Sequence, residues 1–124
     1  MPNPSLTAHA YVLAVHDLQG TSAYFIHKLG FETDWEDPGN WHALRRDGVR
    51  VMLGRCPDAL SPSVLGDHNY FGFLVTDDID ALHADLTARG ALVSSPPTDK
   101  PWGWREMPVA TPEGHRMMFA QAIG

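Results

Sequence analysis

The length, composition and charge of this chain limit the kinds of protein it can be. Its 124 residues are 44% hydrophobic, which suits one compact domain with a buried core, so we expect a single domain over residues 1–124. The formal net charge is −6, and lysine and arginine form no large cluster. This balance argues against a nucleic-acid partner, because binding to a phosphate backbone needs a basic surface.

No segment of the sequence predicts a membrane helix, a secretory signal or a disulfide. The apolar runs are much shorter than the roughly 20 residues that span a bilayer, and the first residues lack the basic start and apolar stretch of a signal. We therefore expect a soluble, cytoplasmic protein with no membrane partner. Cys56 is the only cysteine, so it cannot form an internal disulfide and is interpreted as an ordinary residue.

The first half of the chain predicts a strand, a helix and three further strands. Residues 8–15 are apolar enough for a buried strand, Asp17 is placed to cap the following helix, and Gly30 is placed to end it. The three further strands are predicted at residues 31–36, 41–46 and 49–54. The Asp47-Gly48 pair between the last two is typical of a hairpin turn.

The second half repeats this order of elements. A strand at residues 70–75 is followed by Asp78 as a helix cap and by Gly90 as a helix end. Three more strands are predicted at residues 91–94, 104–110 and 116–121. The sequence therefore predicts two tandem βαβββ modules, at about residues 8–56 and 70–121, joined by a linker at about residues 57–69.

Each module has one face to bury, so two of them side by side can enclose a cavity. We predict an α+β fold in which the modules form a curved mixed sheet around that cavity, with the helices outside. The trough inside is the natural place for a ligand. An unrelated α+β sandwich with a coincidental repeat remains open on this evidence alone.

Several short segments carry a family resemblance. VHDL (15–18), AYF (23–25) and KLGF (28–31) resemble the first-module signature of the vicinal oxygen chelate superfamily, the glyoxalase, bleomycin-resistance and extradiol dioxygenase fold. DIDAL (78–82), PWGWRE (101–106) and TPEGHR (111–116) look like the bleomycin-resistance branch. Each segment alone is weak, but together they extend over nearly the whole chain in the expected order.

The resemblance implies where a catalytic metal would be bound. Catalytic members of the superfamily hold a divalent metal with His and Glu side chains from both modules. The corresponding positions here are Ala10, Met52, Tyr70 and Met118, and none of them binds a hard cation as His or Glu would. We therefore predict no metal ligand, no cofactor and no catalytic residue.

Two other functions remain open. A shifted strand register could bring His9, His68 or Glu106 to the metal positions, which would make the protein a metal-dependent lyase, an isomerase or a ring-cleaving dioxygenase. Alternatively, the aromatic residues could serve only a subunit interface, as in an interaction or regulatory module.

The candidate ligand-binding residues are large aromatic side chains and the polar or apolar groups expected in the same trough. They are Trp35, Trp41, His42, Met52, Tyr70, Trp102, Trp104, Glu106 and Met118. Trp102 and Trp104 flank Gly103, so in an extended segment their indoles would project to one side. Arg105 and Glu106 are adjacent and must point to opposite faces of a strand, and the sequence does not decide which enters the cavity. The proline-rich residues 94–101 are expected to form a stiff flap beside it.

The function these residues favour is binding without catalysis. We expect the protein to sequester a small apolar or aromatic molecule, such as an antibiotic, in the manner of bleomycin-resistance proteins. The negative net charge favours a cationic guest. The resemblance also implies a homodimer, with each trough formed between modules of one or of both chains.

Overall fold

The computed structural model describes residues 3–124 and divides them into two modules. The first module consists of β1 (Tyr11–Val15), α1 (Leu18–Leu29), β2 (Glu32–Asp37), β3 (Trp41–Arg46) and β4 (Val49–Arg55). The second consists of β5 (Gly72–Val75), α2 (Ile79–Arg89), β6 (Leu92–Val93), β7 (Thr98–Asp99), β8 (Trp104–Ala110) and β9 (Arg116–Ala122). The linker between them contains a short 3-10 turn at Pro62–Val64.

The strands form two sheets with equivalent orders. The first sheet has the order β1-β4-β3-β2, and the second has the order β5-β9-β8-β6, with β7 paired to β8. In each sheet the strand before the helix runs parallel to the last strand of its module, whereas the other pairs are antiparallel. The predicted α+β fold of two βαβββ modules is therefore confirmed. Within the predicted flap, Thr98 and Asp99 add a two-residue edge strand.

Among residues 3–124, no backbone ladder joins the two sheets into one continuous sheet. Their edge strands β1 and β5 approach each other, but side chains occupy the seam. The ring of Tyr11 packs edge-on against the ring of Phe71, with centroids 5.8 Å apart. A Cβ atom at Gly72 would lie only 3.1 Å from the Tyr11 ring, so the glycine makes room for the tyrosine between the strands.

The predicted helix ends are confirmed. The carboxylate of Asp17 accepts a hydrogen bond from the backbone N–H of Gly20 at 2.9 Å, and that of Asp78 accepts from Ala81 at 3.0 Å. Gly30 ends α1 with a φ of 75°, a left-handed conformation that favours glycine. Local capping chemistry thus sets where α1 and α2 begin and where α1 stops.

One hydrophobic cluster draws on both helices and both sheets. Its fully buried members include Phe25, Leu29, Leu44, Leu53, Ile79, Leu86, Met107 and Met117. Tyr24 links the modules within it, because its hydroxyl donates to the backbone oxygen of Ala110 at 2.6 Å and accepts from the N–H of Leu92 at 2.9 Å. Burial raises the pKa of Tyr24 above its ordinary value, although the bond from Leu92 opposes the shift.

Both sheets turn their helix-covered face toward this core, so the alternate side chains lie on the outer faces. In β8, Met107 and Val109 are buried in the core, whereas Glu106 belongs to the alternating outer set. In β4, Leu53 points into the core and Met52 points out. None of the helices in residues 3–124 combines the length and apolar character that a membrane-spanning helix requires.

Candidate ligand-binding groove

A groove with a volume of about 710 Å³ lies on the outer face of the second sheet, which is within the usual range for small-molecule sites. Four of the predicted binding residues line it, namely Tyr70, Trp102, Glu106 and Met118. The sequence did not indicate its other lining residues, among them Tyr11, Phe73 and Lys100. Phe73 could have been found, since an apolar residue next to the core residue Leu74 must point to the outer face.

Glu106 is the buried charge of this groove. Only 7% of its surface is exposed, and its Oε2 accepts a hydrogen bond from the indole N–H of Trp102 at 2.7 Å. Within residues 3–124 it forms no salt bridge with a lysine, arginine or histidine. Burying a carboxylate without a cationic partner costs free energy, so this position favours a positively charged ligand.

Arg105 points to the opposite side of the strand. Its guanidinium bonds to Asp99 at 2.6 Å and to Asp80 at 3.0 Å. The hydrogen bond from Arg105 lowers the pKa of Asp99 below its ordinary value. The choice that the sequence left open is thereby settled: Glu106 faces the groove and Arg105 faces the helix side.

The indoles of Trp102 and Trp104 both lie on the outer face, but one belongs to a turn and the other to a strand. Trp102 is not in an extended segment; it lies in the turn before β8, where the N–H of Gly103 donates to the oxygen of Lys100 at 3.1 Å. Trp104 opens β8 and meets the ring of Phe73 edge-on, with centroids 5.4 Å apart. Together with Phe73, the two indoles give this face a largely aromatic surface.

The remaining walls combine a stacked cation with apolar surface. The guanidinium of Arg116 lies over the ring of Tyr70, 4.7 Å from its centroid, which fixes one face of that ring. Met118 stands opposite Phe73 in β5 and opposite Pro108 in β8, so its side chain lies on the same face as the Phe73 ring. These contacts suit a flat, mostly apolar guest.

The other predicted binding residues lie elsewhere. Trp41 and His42 line a separate cleft between α1 and the β2–β3 hairpin. Trp35 and Met52 both align with Ala43 in the first sheet and therefore share its outer face. The prediction grouped all nine residues around one trough, but in the structure they lie in three separate regions of the chain.

The residues present do not fit a catalytic divalent metal. Of the four positions implied by family resemblance, Met52 and Met118 lie on the outer faces of different sheets, and neither offers an oxygen or nitrogen ligand. Of the shifted-register candidates, His68 and Glu106 both line the groove. Across the described part of the chain, however, no three side chains of His, Cys, Asp or Glu are grouped so that they could hold a metal ion.

Two tandem βαβββ modules are the architecture of one class of protein, and the sequence matches the model of that family. The family model described as the Glyoxalase/Bleomycin resistance protein/Dioxygenase superfamily matches residues 7–119. The chain therefore belongs to this superfamily, whose name covers binding proteins as well as enzymes. No curated protein sequence matches the chain significantly.

Solved structures with the same fold support this assignment. TioX from Micromonospora sp. ML1 is 27% identical, with a TM-score of 0.74 over 94% of this chain and 100% of that one. A bleomycin-binding protein from Streptomyces verticillus, solved with copper(II)-bleomycin, is 23% identical, with a TM-score of 0.71 over 98% and 99%. A superfamily member from Alicyclobacillus acidocaldarius has a TM-score of 0.80 at 15% identity, over 100% and 96%.

Proposed function

We propose that this protein binds a small aromatic molecule bearing a cationic group in the groove on its second sheet and releases it unchanged. The observation that carries the proposal is Glu106, a buried carboxylate that opens onto an aromatic surface without a basic partner in residues 3–124. Aromatic rings bind flat guests and cations, each good contact contributing about 0.5–2 kcal/mol.

The charges around the groove support a cationic guest. Asp67 and Glu106 line it together with a single lysine, Lys100, and the formal net charge of the whole chain is −6. A cation entering the groove would partner the carboxylate that the protein leaves unpaired, so binding removes a cost already present in the free protein. A negatively charged guest would instead increase the cost of burying the Glu106 carboxylate.

Release without chemical change is supported by the side chains at the implied metal positions. Ala10, Met52, Tyr70 and Met118 offer no set of hard ligands, so the Lewis acid of the enzymatic members has no site built for it. Bleomycin-resistance-like sequestration is the function of this class that needs only a groove. The bleomycin-binding protein from Streptomyces verticillus has the same fold, which makes bleomycin the first compound to test.

A metal-dependent lyase, isomerase or dioxygenase is the second candidate, and one observation favours it. His68 and Glu106 lie in the same groove, so two of the ligand types that such an enzyme needs share one surface. Both candidate functions can be tested in one experiment, because each predicts that a different ligand stabilises the folded protein.

The test is a thermal-shift series in which bleomycin and, separately, salts of Ni, Mn, Fe and Zn are added to the purified protein. A ligand that binds only the folded state raises the melting temperature by mass action. We expect bleomycin to raise it and Glu106→Gln to remove most of that rise. Asp80→Asn, which removes the same charge on the helix side, should leave the rise unchanged.

Two results would reject the binding proposal. One is a melting temperature that no aromatic cation raises, whether bleomycin or a simple planar amine. The other is stoichiometric Fe, Mn, Ni or Zn in protein purified without chelators, together with stabilisation by that metal alone; this outcome would support the enzyme instead.

We further propose that the chain is a single domain and that it forms a homodimer through its outer faces. The shared hydrophobic cluster supports the first statement. The second is supported by the exposed apolar side chains on these faces, which include Val12, Trp35, Phe73 and Val75. A second copy would cover a surface that monomeric proteins seldom leave open and would close the groove from above.

Sedimentation analysis tests the homodimer. We expect a dimer at micromolar concentration, and Val75→Glu should shift the population toward monomer because it places a charge in the proposed interface. Leu60→Glu, a similar change in the exposed linker, should leave the dimer intact. A wild-type chain that sediments as a monomer at all accessible concentrations would exclude this assembly.

A further inference from the structure

The two carboxylate oxygens of Glu106 differ in what they bond to. Oε2 accepts the indole N–H of Trp102 at 2.7 Å. Among residues 3–124, no protein donor bonds to Oε1, and this atom retains contact with solvent. A ligand in the groove therefore meets one free oxygen, while the other already holds a hydrogen bond from the protein.

The turn that carries Trp102 is fixed at both ends. On the side of β7, the N–H of Lys100 donates to the backbone oxygen of Trp104 at 2.8 Å, and the N–H of Gly103 closes the turn onto the oxygen of Lys100 at 3.1 Å. On the other side, the N–H of Ile123 donates to the oxygen of Gly103 at 2.9 Å. These backbone bonds hold the indole donor in place at the groove.

The short strand before this turn is also tied down. Arg105 bonds to Asp99 in β7 at 2.6 Å and to Asp80 in α2 at 3.0 Å, so β7 is held to β8 and to the helix. In the same ladder Thr98 lies opposite Glu106, which places the start of the turn beside the carboxylate. A donor held this way is not displaced without breaking contacts of the surrounding backbone.

The shape of a cationic group decides how it can use such a carboxylate. A guanidinium or an amidinium is planar and binds a carboxylate best through two parallel N–H bonds, one to each oxygen. An ammonium is a compact charge that can donate to a single oxygen. In this groove a planar fork would bring its second N–H to Oε2, which already accepts the indole N–H of Trp102. The two donors would compete for one oxygen, whereas an ammonium on Oε1 avoids the conflict.

The rest of the groove suits the other side of an ammonium. Trp102 is 63% exposed, so its ring remains available to a guest although its N–H is bonded. Phe73 also lines the groove and supplies a second aromatic ring for a cation or a flat group. Asp67 and Lys100 are further charged groups of the lining, and within residues 3–124 neither of them pairs with Glu106.

We propose that Trp102 makes the groove selective for aromatic amines over aromatic guanidines and amidines. The protonated amine donates to Oε1 of Glu106 while the indole N–H keeps Oε2. Trp102 is thus both a wall of the groove and the donor that withholds one oxygen from the ligand. This inference rests on the function proposed for the groove and narrows the chemical class of its ligand.

The probes are 2-naphthylmethylamine and 2-naphthamidine, two planar cations of similar size that differ in the cationic group. Their binding to the full chain is measured by titration calorimetry at neutral pH. One hydrogen bond of ordinary strength corresponds to a factor of roughly two to ten in Kd, so we expect the amine to bind about fivefold more tightly than the amidine.

Two variants test whether the indole N–H causes this preference. Trp102→Phe keeps an aromatic ring but removes the donor, so both oxygens of Glu106 become available and the amidine should bind as well as the amine or better. Trp104→Phe trims the neighbouring indole of the same groove, which does not bond to Glu106. It should change both affinities by the same factor and leave their ratio as in the wild-type protein.

The indole N–H signal of Trp102 in NMR spectra provides a measurement on the wild-type protein alone. A hydrogen bond to a carboxylate moves this signal away from the position of a free indole. We expect the signal to stay at its bonded position when 2-naphthylmethylamine saturates the groove. A move to the free position would mean that the ligand has displaced the indole from Glu106, and it would overturn the proposal even if Trp102→Phe does not fold.

Failure of the selectivity and failure of the binding function give different results. If neither probe binds, or if Glu106→Gln binds the amine as tightly as the wild-type protein, the groove does not bind a cation at Glu106 and both proposals are rejected. If both probes bind through Glu106 with equal affinity, or if the amidine binds more tightly, only the selectivity is overturned. A preference for the amine that Trp102→Phe leaves unchanged would likewise reject Trp102 as its cause.

Discussion

The Nε2 atom of His115 lies 3.0 Å from the backbone oxygen of Ala14, so an imidazole of the second module bonds to the first strand of the first module. The other ring nitrogen lies 3.3 Å from Oγ1 of Thr111, which also accepts the backbone N–H of His115 at 3.1 Å. A carbonyl only accepts, so Nε2 carries the proton and Nδ1 accepts from the hydroxyl. This network holds a neutral histidine between the modules.

The neutral state of His115 makes stability depend on pH. Burial lowers the pKa of His115 below its ordinary value of 6.5, although the bond to Ala14 and the charge of Glu113 oppose the shift. The unfolded chain therefore takes up the proton first, and the stabilisation is present above pH 6.5 and lost as the pH falls below it. We expect urea unfolding between about pH 7.5 and 5.5 to show a slope from this group of at most about 1.4 kcal/mol per pH unit.

The control for this prediction is His115→Gln, whose side-chain amide can still donate to Ala14 but does not titrate. Its stability should change less than that of the wild-type protein over the same pH interval. An identical pH dependence in the two proteins would assign the effect to another group and would remove His115 as its cause.

Glu113 binds the start of α1 from the turn between β8 and β9. Its two carboxylate oxygens accept hydrogen bonds from the backbone N–H groups of His16 and Asp17, at 2.8 and 2.9 Å, and from the hydroxyl of Thr21 at 2.9 Å. Burial alone would raise the pKa of Glu113, but these bonds together lower it below the ordinary value of 4.5. Its contribution is therefore lost at lower pH than that of His115.

Glu113→Gln should destabilise the fold at neutral pH. The amide replaces an accepting oxygen with a donor that would face another donor, so we expect a loss of about 2 kcal/mol in the free energy of unfolding. Glu32→Gln serves as the matched control, because it weakens only an exposed pair with Arg45 and should change stability by less than about 0.5 kcal/mol. Equal effects of the two variants, measured by urea unfolding, would contradict the role given to Glu113.

The order of elements could be predicted from the sequence because its signals are local. Asp17 and Asp78 are capping residues immediately before apolar helical segments, and Gly30 follows the last helical residue of the first. Each of these residues interacts with backbone groups only a few positions away in the sequence. Hence the order of helices and strands in both modules was predicted correctly.

The grouping of the site could not be predicted because it depends on how distant surfaces meet. Alternation along β8 shows that Arg105 and Glu106 point to opposite faces of the strand. Which of them faces the groove is decided only by packing against α2, where the guanidinium of Arg105 donates to the carboxylate of Asp80. Likewise, His42 was predicted in the same trough as Trp102, yet it lies in the cleft against α1. The link made by Tyr24 to the second module has no sequence signal at all.

Replacing both Trp102 and Trp104 with alanine should weaken the proposed groove ligand more than it weakens the fold. Two lost aromatic contacts predict that the Kd for bleomycin rises by about tenfold or more. The fold is expected to lose less than about 2 kcal/mol, because Trp102 is largely exposed and its removal opens Glu106 to water. Calorimetric titration beside thermal unfolding measures both quantities.

Trp41→Ala is the matched control for that pair, since it removes an indole from the first sheet rather than from the groove on the second. Bleomycin should bind this variant as it binds the wild-type protein. Unchanged affinity in the double variant would instead mean that the two indoles of the second module are structural and that the groove is not the binding site.

Gly54 and Trp41 provide a last test, because the indole packs onto the glycine across β3 and β4. A Cβ atom at Gly54 would lie 2.8 Å from two ring atoms of Trp41, closer than real contacts allow. The ring is the outer end of a partly exposed side chain and can rotate away, so we expect Gly54→Ala to cost only about 1 kcal/mol. Tryptophan fluorescence should change as the indole moves off the glycine. Gly48→Ala, where no described atom lies within 4 Å of the added Cβ, should change neither the stability nor the fluorescence; if it matches Gly54→Ala in fluorescence, the indole does not depend on the glycine beneath it.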